Sequence, residues 1–334
     1  MAVPFTCPPR ALLGACLLLG IALGTAGSAQ AQRLFRQERS ATYADGRTIP
    51  PLSVSEDLLE TGPRREFALP GGRRLLVVGA LSSDREAELS DVAALVREAV
   101  AHATTATGLP LPGNILLCLL EVERVPTAYR FEAREPSDAS WCELRLAFVE
   151  RSRPLLGPGA TPEFLELLYD TLPHELGHDL LDQVPGLRQD LDGGPSTGTR
   201  WFCEGVCELI AKSFAQRLDP QQARRYRADR DVGSALRTAG WLQALLDWRQ
   251  DSALDPAAES RAYGLAWRLV ETWDDHRPLR ELIAELARSA TPTDGPRLRA
   301  LLARDLGTDE ATLALALGAR RTDEPLAAGL GTQP

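Results

Sequence analysis

The sequence predicts an α+β fold in which a small mixed β-sheet with packed helices precedes a mainly helical C-terminal half. Three observations predict it. The first half holds short, nearly continuous apolar runs of strand length, with a stretch of helical periodicity between them. Residues 141–150 alternate apolar and polar, the period of a half-buried strand. From residue 161 onward the patterned stretches chiefly carry the helical period.

Taken in order, residues 32–70 show no strong period. They are punctuated by Ile49-Pro50-Pro51, Gly62-Pro63 and Leu69-Pro70-Gly71-Gly72, and are expected to form an extended lead-in. Leu75, Leu76, Val77 and Val78 read as a buried strand. Within residues 84–107, Leu89, Val92, Val96, Ala99, Val100 and Ala103 recur at helical spacing, with Ser83 or Asp84 as cap. Gly108, Pro110, Pro112 and Gly113 break the chain before a second apolar strand at 115–122. In the third strand Cys142, Leu144, Leu146 and Phe148 face one way, Glu143 and Arg145 the other.

Thr161-Pro162-Glu163 is a helix start: a cap, a proline in the first turn and an acid near the positive end. That helix heads toward Asp182, but Pro173 lacks a backbone donor, so a kink or a fresh start is expected immediately before His174. A Gly/Pro/Ser/Thr loop over 186–199 leads to a helix over 202–218. Further helices are expected at 224–230, 234–248, 259–273, 278–289, 296–305 and 310–317, followed by a frayed end. Trp241, Trp248, Trp267 and Trp273 are expected as core anchors.

Residues 1–31 stand apart. They combine Arg10, an apolar run over 11–23 and Ala29-Gln30-Ala31, the layout of a secretory signal peptide cleaved after Ala31. The mature chain is therefore expected to be secreted or periplasmic, without stable membrane insertion. Removing Arg10, the one charge in that segment, takes the formal net charge from −9 to −10. Such an acidic protein is a poor partner for nucleic acid, which is bound by neutralising phosphates. Cys118, Cys142, Cys203 and Cys207 remain after cleavage. In an oxidising compartment each of the helical pair, Cys203 and Cys207, is expected to bridge to Cys118 or Cys142; the alternative is four buried thiols.

The chemistry lies in His174-Glu175-Leu176-Gly177-His178, which takes two of only four histidines in the chain. Residues four apart on a helix share a face, so both imidazoles can grip one zinc ion while Glu175 stands near the water it binds. A catalytic zinc usually takes three protein ligands. The later segment Trp201-Phe202-Cys203-Glu204-Gly205-Val206-Cys207-Glu208 offers Glu204 as the third. Cys203 would face about 100° away from Glu204 and is not counted as a ligand. Glu208, one turn beyond Glu204, can orient His174 by hydrogen bonding or pair with Lys212, the chain's only lysine. His102 is expected on the outer side of its helix, without function.

At these residues the chain resembles the gluzincin metallopeptidases, whose zinc signature joins HExxH to a downstream glutamate on a second helix. The W-F-x-E-G-x-x-E form looks most like their aminopeptidase-like branch, the peptidase MA group, and Leu172-Pro173 ahead of HELGH resembles its uncharacterised bacterial members. The resemblance implies a zincin-like fold with an active-site cleft between sheet and helical parts. It organises the chain into signal peptide 1–31, N-terminal segment 32–70, metallopeptidase domain 71–290 and C-terminal helices with tail 291–334. It implies peptide-bond hydrolysis with Glu175 as general base, and a peptide or protein as substrate. Tyr263, in Arg261-Ala262-Tyr263-Gly264-Leu265, looks like the tyrosine that donates to the oxyanion, with Tyr226 and His276 as alternatives. The strand at 141–150 would be the sheet edge that pairs with substrate. No Gly-rich GxMEN-type segment is found, so the exopeptidase activity of that branch does not carry over. Two other classes stand beside this one: a catalytically inactive scaffold on the same fold, and a zinc hydrolase of a non-peptide amide.

Overall fold

The computed structural model describes residues 41–42, 48–49, 64–79, 86–122, 127–133, 141–149, 154–157, 159–160, 162–187, 198–221, 223–224, 240–248 and 256–308. The expected signal peptide, the helices at 224–230 and 310–317, Tyr226 and the Cys142 side chain lie outside them. The chain divides into two compact units, one closing on Ala101 and including Pro110–Glu175, the other including His102–Leu109 and the chain from Leu176.

The first unit is built on a sheet. A short ladder joins β1 (Ala41–Thr42) to β2 (Thr48–Ile49). The main sheet has five strands: β3 (Arg64–Ala68), β4 (Arg74–Gly79), β5 (Asn114–Val122), β6 (Thr127–Ala133) and β7 (Trp141–Val149). Their order is β3-β4-β5-β7-β6, with β4, β5 and β7 parallel and the two outer strands antiparallel to their neighbours. The centre is apolar because parallel strands are covered on both faces. Leu75, Val77, Ile115, Leu117 and Leu119 are fully buried.

Helix α1 (Glu86–Thr107) connects β4 to β5, as parallel neighbours require. Its apolar stripe, Leu89, Val92, Val96, Ala99, Val100 and Ala103, is buried as the spacing predicts. One expectation is overturned. The strand at 141–150 is not the sheet edge, because β6 pairs antiparallel with residues 141–147 and is itself the outer strand. The hairpin partner went unseen because Thr-Ala-Tyr-Arg-Phe-Glu-Ala carries little apolar weight. Strand β3 was missed for the same reason: Arg-Arg-Glu-Phe-Ala is largely exposed.

The second unit is helical: the latter part of α3 (Leu172–Leu181), then α4 (Arg200–Leu218), α5 (Trp241–Leu246), α6 (Pro256–His276), α7 (Leu279–Ala287) and α8 (Gly295–Leu306). Helices α4 and α6 pack closely at Gly205, where a Cβ would stand 2.5 Å from the Ala266 carbonyl oxygen. Around that crossing Trp201 stacks on Trp273, and Phe202 meets Trp273 edge-on. All four expected tryptophan anchors are buried. Gly186, at φ 86°, lies so close to the Thr293 backbone that any side chain would collide with it, and Thr293 N–H donates to the Pro185 carbonyl at 2.7 Å. The turn after α3 is thereby pinned to the segment that opens α8. Among the described residues no helix is long and apolar enough to cross a membrane.

Candidate metal centre

The HELGH segment lies on α3, and the way α3 begins sets the direction it faces. The preceding helix α2 (Pro162–Glu166) runs into a turn, Leu167–Thr171, wound wider than an α-helix. The Leu172 N–H closes it by donating to the Leu167 carbonyl, five residues back. Pro173, second in α3, has no N–H, and in an unbroken helix its ring would crowd the carbonyl four residues before it. The interruption expected before His174 is this widened turn followed by a new helix.

His174 and His178 stand one above the other on α3, and α4 supplies Cys207. One donor atom from each of the three lies within 4.8 Å of the others. The approach depends on Gly177, where a Cβ would stand 2.9 Å from the Cys207 Sγ and 3.2 Å from its Cα. One turn earlier on α4, Glu204 places Oε2 3.2 Å from His178 Nε2. Ligands sharing one tetrahedral zinc at ordinary bond lengths stand roughly 3.3–3.7 Å apart. The His178–Glu204 contact is at that spacing, and the histidine–cysteine group needs only a contraction of about an ångström. Imidazole, thiolate and carboxylate are also the donor types zinc takes. The residues present therefore fit a metal ion.

Glu204 is almost wholly buried, and its other flank meets Arg200, whose Nε lies 3.6 Å from Oε1. The Arg200 guanidinium lies 4.0 Å over the Trp248 ring, and Trp248 meets Tyr263 edge-on at 5.2 Å. A continuous chain of contacts thus ties Tyr263 on α6 to Glu204 on α4. Glu175 follows His174 on α3 and is half-buried. Glu208 meets its helical neighbour Lys212, its Oε2 lying 3.0 Å from Nζ with both side chains buried.

Two residues of this centre were missed by sequence reasoning. Cys207 stands three residues after Glu204 and Arg200 four before it, spacings that put all three on one face of α4. Helical spacing from Glu204 points to both. Cys203 turns away and donates its S–H to the Leu187 carbonyl at 3.3 Å. The expected disulfides are also corrected: Cys118, Cys203 and Cys207 are buried thiols.

His102 is half-buried, not outward. Its Nε2 lies 2.8 Å from Ser213 Oγ and its ring 5.5 Å from that of Phe214. Burial, seconded by the Arg217 charge, pushes its pKa below the usual histidine value. His276, by contrast, is exposed at the end of α6.

No protein-family model matches the chain, and no curated protein does either. Among solved structures, the aminopeptidase N family protein of Idiomarina loihiensis is similar, with a TM-score of 0.50 and 13% sequence identity. The match covers 78% of this chain and 47% of that one, so the chain spans about half the length of its structural relative. At that identity the likeness is one of fold alone.

Proposed function

We propose that the protein is an exported zinc metallopeptidase. The observation that carries this reading is that His174 and His178 stand beside donors from α4: Cys207 within 4.8 Å of both, and Glu204 at 3.2 Å from His178. His174, His178 and Glu204 would hold the ion. Zinc bound there supplies a Lewis acid for the scissile carbonyl and brings the pKa of water toward neutrality. Glu175 takes the proton from the attacking water and passes it to the leaving amine. Tyr263 donates to the oxyanion as it develops, its ring held by the Trp248–Arg200 stack. Glu208, with its charge met by Lys212, orients His174. The likeness to an aminopeptidase N family protein supports a peptidase fold. Export is supported by Arg10, the apolar run over 11–23 and Ala29-Gln30-Ala31.

The test is metal analysis of the purified mature protein beside two variants, with peptide turnover measured on the same samples. Wild type and Glu175→Gln should each carry one zinc per chain, and the double variant His174→Ala/His178→Ala none. Glu175→Gln should lose activity by about 10²–10⁴-fold. A folded wild type that takes up no zinc when supplied with it would favour a scaffold protein on this fold. Zinc uptake with turnover of small amides but not peptides would move the assignment to a non-peptide hydrolase.

A further inference from the structure

We propose that Cys207 is itself a metal ligand, so that the centre combines two imidazoles, the Glu204 carboxylate and a thiolate. The inference deepens the zinc reading above and rests on it. Two observations carry it. The Cys207 sulfur belongs to the one group of donor atoms, with His174 and His178, that lies mutually within 4.8 Å among the described residues. Independently, the helix crossing is built around that sulfur. Gly177, inside the HELGH segment, leaves room for nothing larger than hydrogen beside Cys207, so α3 is drawn down onto the thiol. A cysteine serving only as core filler needs no such approach from the helix that bears both histidines.

Glu204 and Cys207 differ in what surrounds them. The carboxylate is shared between His178 and the Arg200 guanidinium, whose positive charge competes with an ion for it. The thiol stands against the imidazoles themselves. A divalent ion deprotonates a coordinating thiol outright, so uptake releases the Cys207 proton to solvent as the metal–sulfur bond forms. Sulfur also makes the site softer, favouring zinc or cobalt over magnesium, calcium or manganese. Glu204 stands outside that mutual group but 3.2 Å from His178, and its approach on metal uptake would bring the set to four protein donors, the number that closes a tetrahedral site. The resting centre is then filled by its own side chains, and one of them must give way before a water can bind.

The probe is cobalt(II) added to the metal-free mature protein under anaerobic, reducing conditions. Wild type should show an intense near-ultraviolet thiolate-to-cobalt charge-transfer band together with the visible bands of tetrahedral cobalt. Cys207→Ser should lose the charge-transfer band and keep the visible ones, with Cys207→Ala as a second variant should the serine disturb folding. Cys203→Ser and Glu204→Ala should both retain the charge-transfer band. Visible bands without charge transfer in wild type would overturn the ligand assignment and leave the metal centre standing, as would a band that survives in Cys207→Ser. No cobalt uptake by folded wild type would overturn both this inference and the zinc reading.

Discussion

At the scale of single residues, two glycines set how closely the helices of this architecture approach. Gly177 and Gly205 are both helical and both buried, and each stands where another element comes closer than a methyl group allows. At Gly205 the obstacle is backbone, the Ala266 carbonyl at 2.5 Å, with a Val270 methyl at 2.7 Å. Backbone cannot swing aside as a side chain can. Gly205→Ala should therefore push α4 and α6 apart and cost about 3 kcal/mol, read as a fall in melting temperature of roughly 6–12 °C. A variant that melts with wild type would mean that the crossing is looser than described. Helix propensity acts in the opposite direction, since alanine is favoured over glycine within a helix by about 1 kcal/mol. A measured loss would thus understate the clash.

At the scale of elements, the C-terminal helices are joined by a charged cluster. Arg277, just after α6, donates to Asp305 on α8 at 2.9 Å and to Glu285 on α7 at 2.6 Å. Arg304 and the Trp273 indole N–H add further donors to Asp305. Burial alone would raise the Asp305 pKa, but the hydrogen bonds from Arg277, Arg304 and Trp273 outweigh it and hold the carboxyl below its ordinary value. The hydrogen bond from Arg277, then that from Arg304, likewise lowers Glu285. A depressed carboxylate contributes stability above its unfolded pKa, and that contribution fades as pH falls through the folded value. The cluster should hold full strength at neutral pH and weaken below about pH 4. Asp305→Asn should cost about 2 kcal/mol in denaturant titrations at pH 7, and much less at pH 3. An equal loss at both values would show that packing, not charge, holds the three helices together.

At the scale of the whole molecule, the metal should be a stabiliser as well as a reagent. An ion that binds only the folded chain adds about 2.7 kcal/mol at a free concentration a hundred times its dissociation constant. Stripping zinc with a chelator should lower the melting temperature and restoring it should reverse the change, in wild type and in Glu175→Gln alike. An unchanged melt would separate the ion from the fold. Much of this molecule was legible beforehand. Helix α1, strands β4, β5 and β7, and helices α4, α6, α7 and α8 all announce themselves by periodic apolar residues. What stayed hidden was polar or three-dimensional. Strands β3 and β6 are held by ladder hydrogen bonds that leave little trace in composition. Cys207 and Arg200 acquire meaning only once α4 is laid against its neighbours, although their spacing from Glu204 was in plain view.

The wide turn at Leu167–Thr171 has a consequence for how this chain tolerates change in length. Each residue of an α-helix advances it by about 100°. The one residue accommodated in that turn works as a phase shim between α2 and α3. Remove it, and Pro173 would meet the carbonyl four residues back in an unbroken helix, while both imidazoles would be swung a quarter-turn or more from their present bearing. A deletion there would change little of the chain's composition and be ruinous to the centre. A substitution at the half-buried Thr171, which leaves the count intact, would be milder, whereas Leu167, Leu168 and Asp170 are held in place by burial.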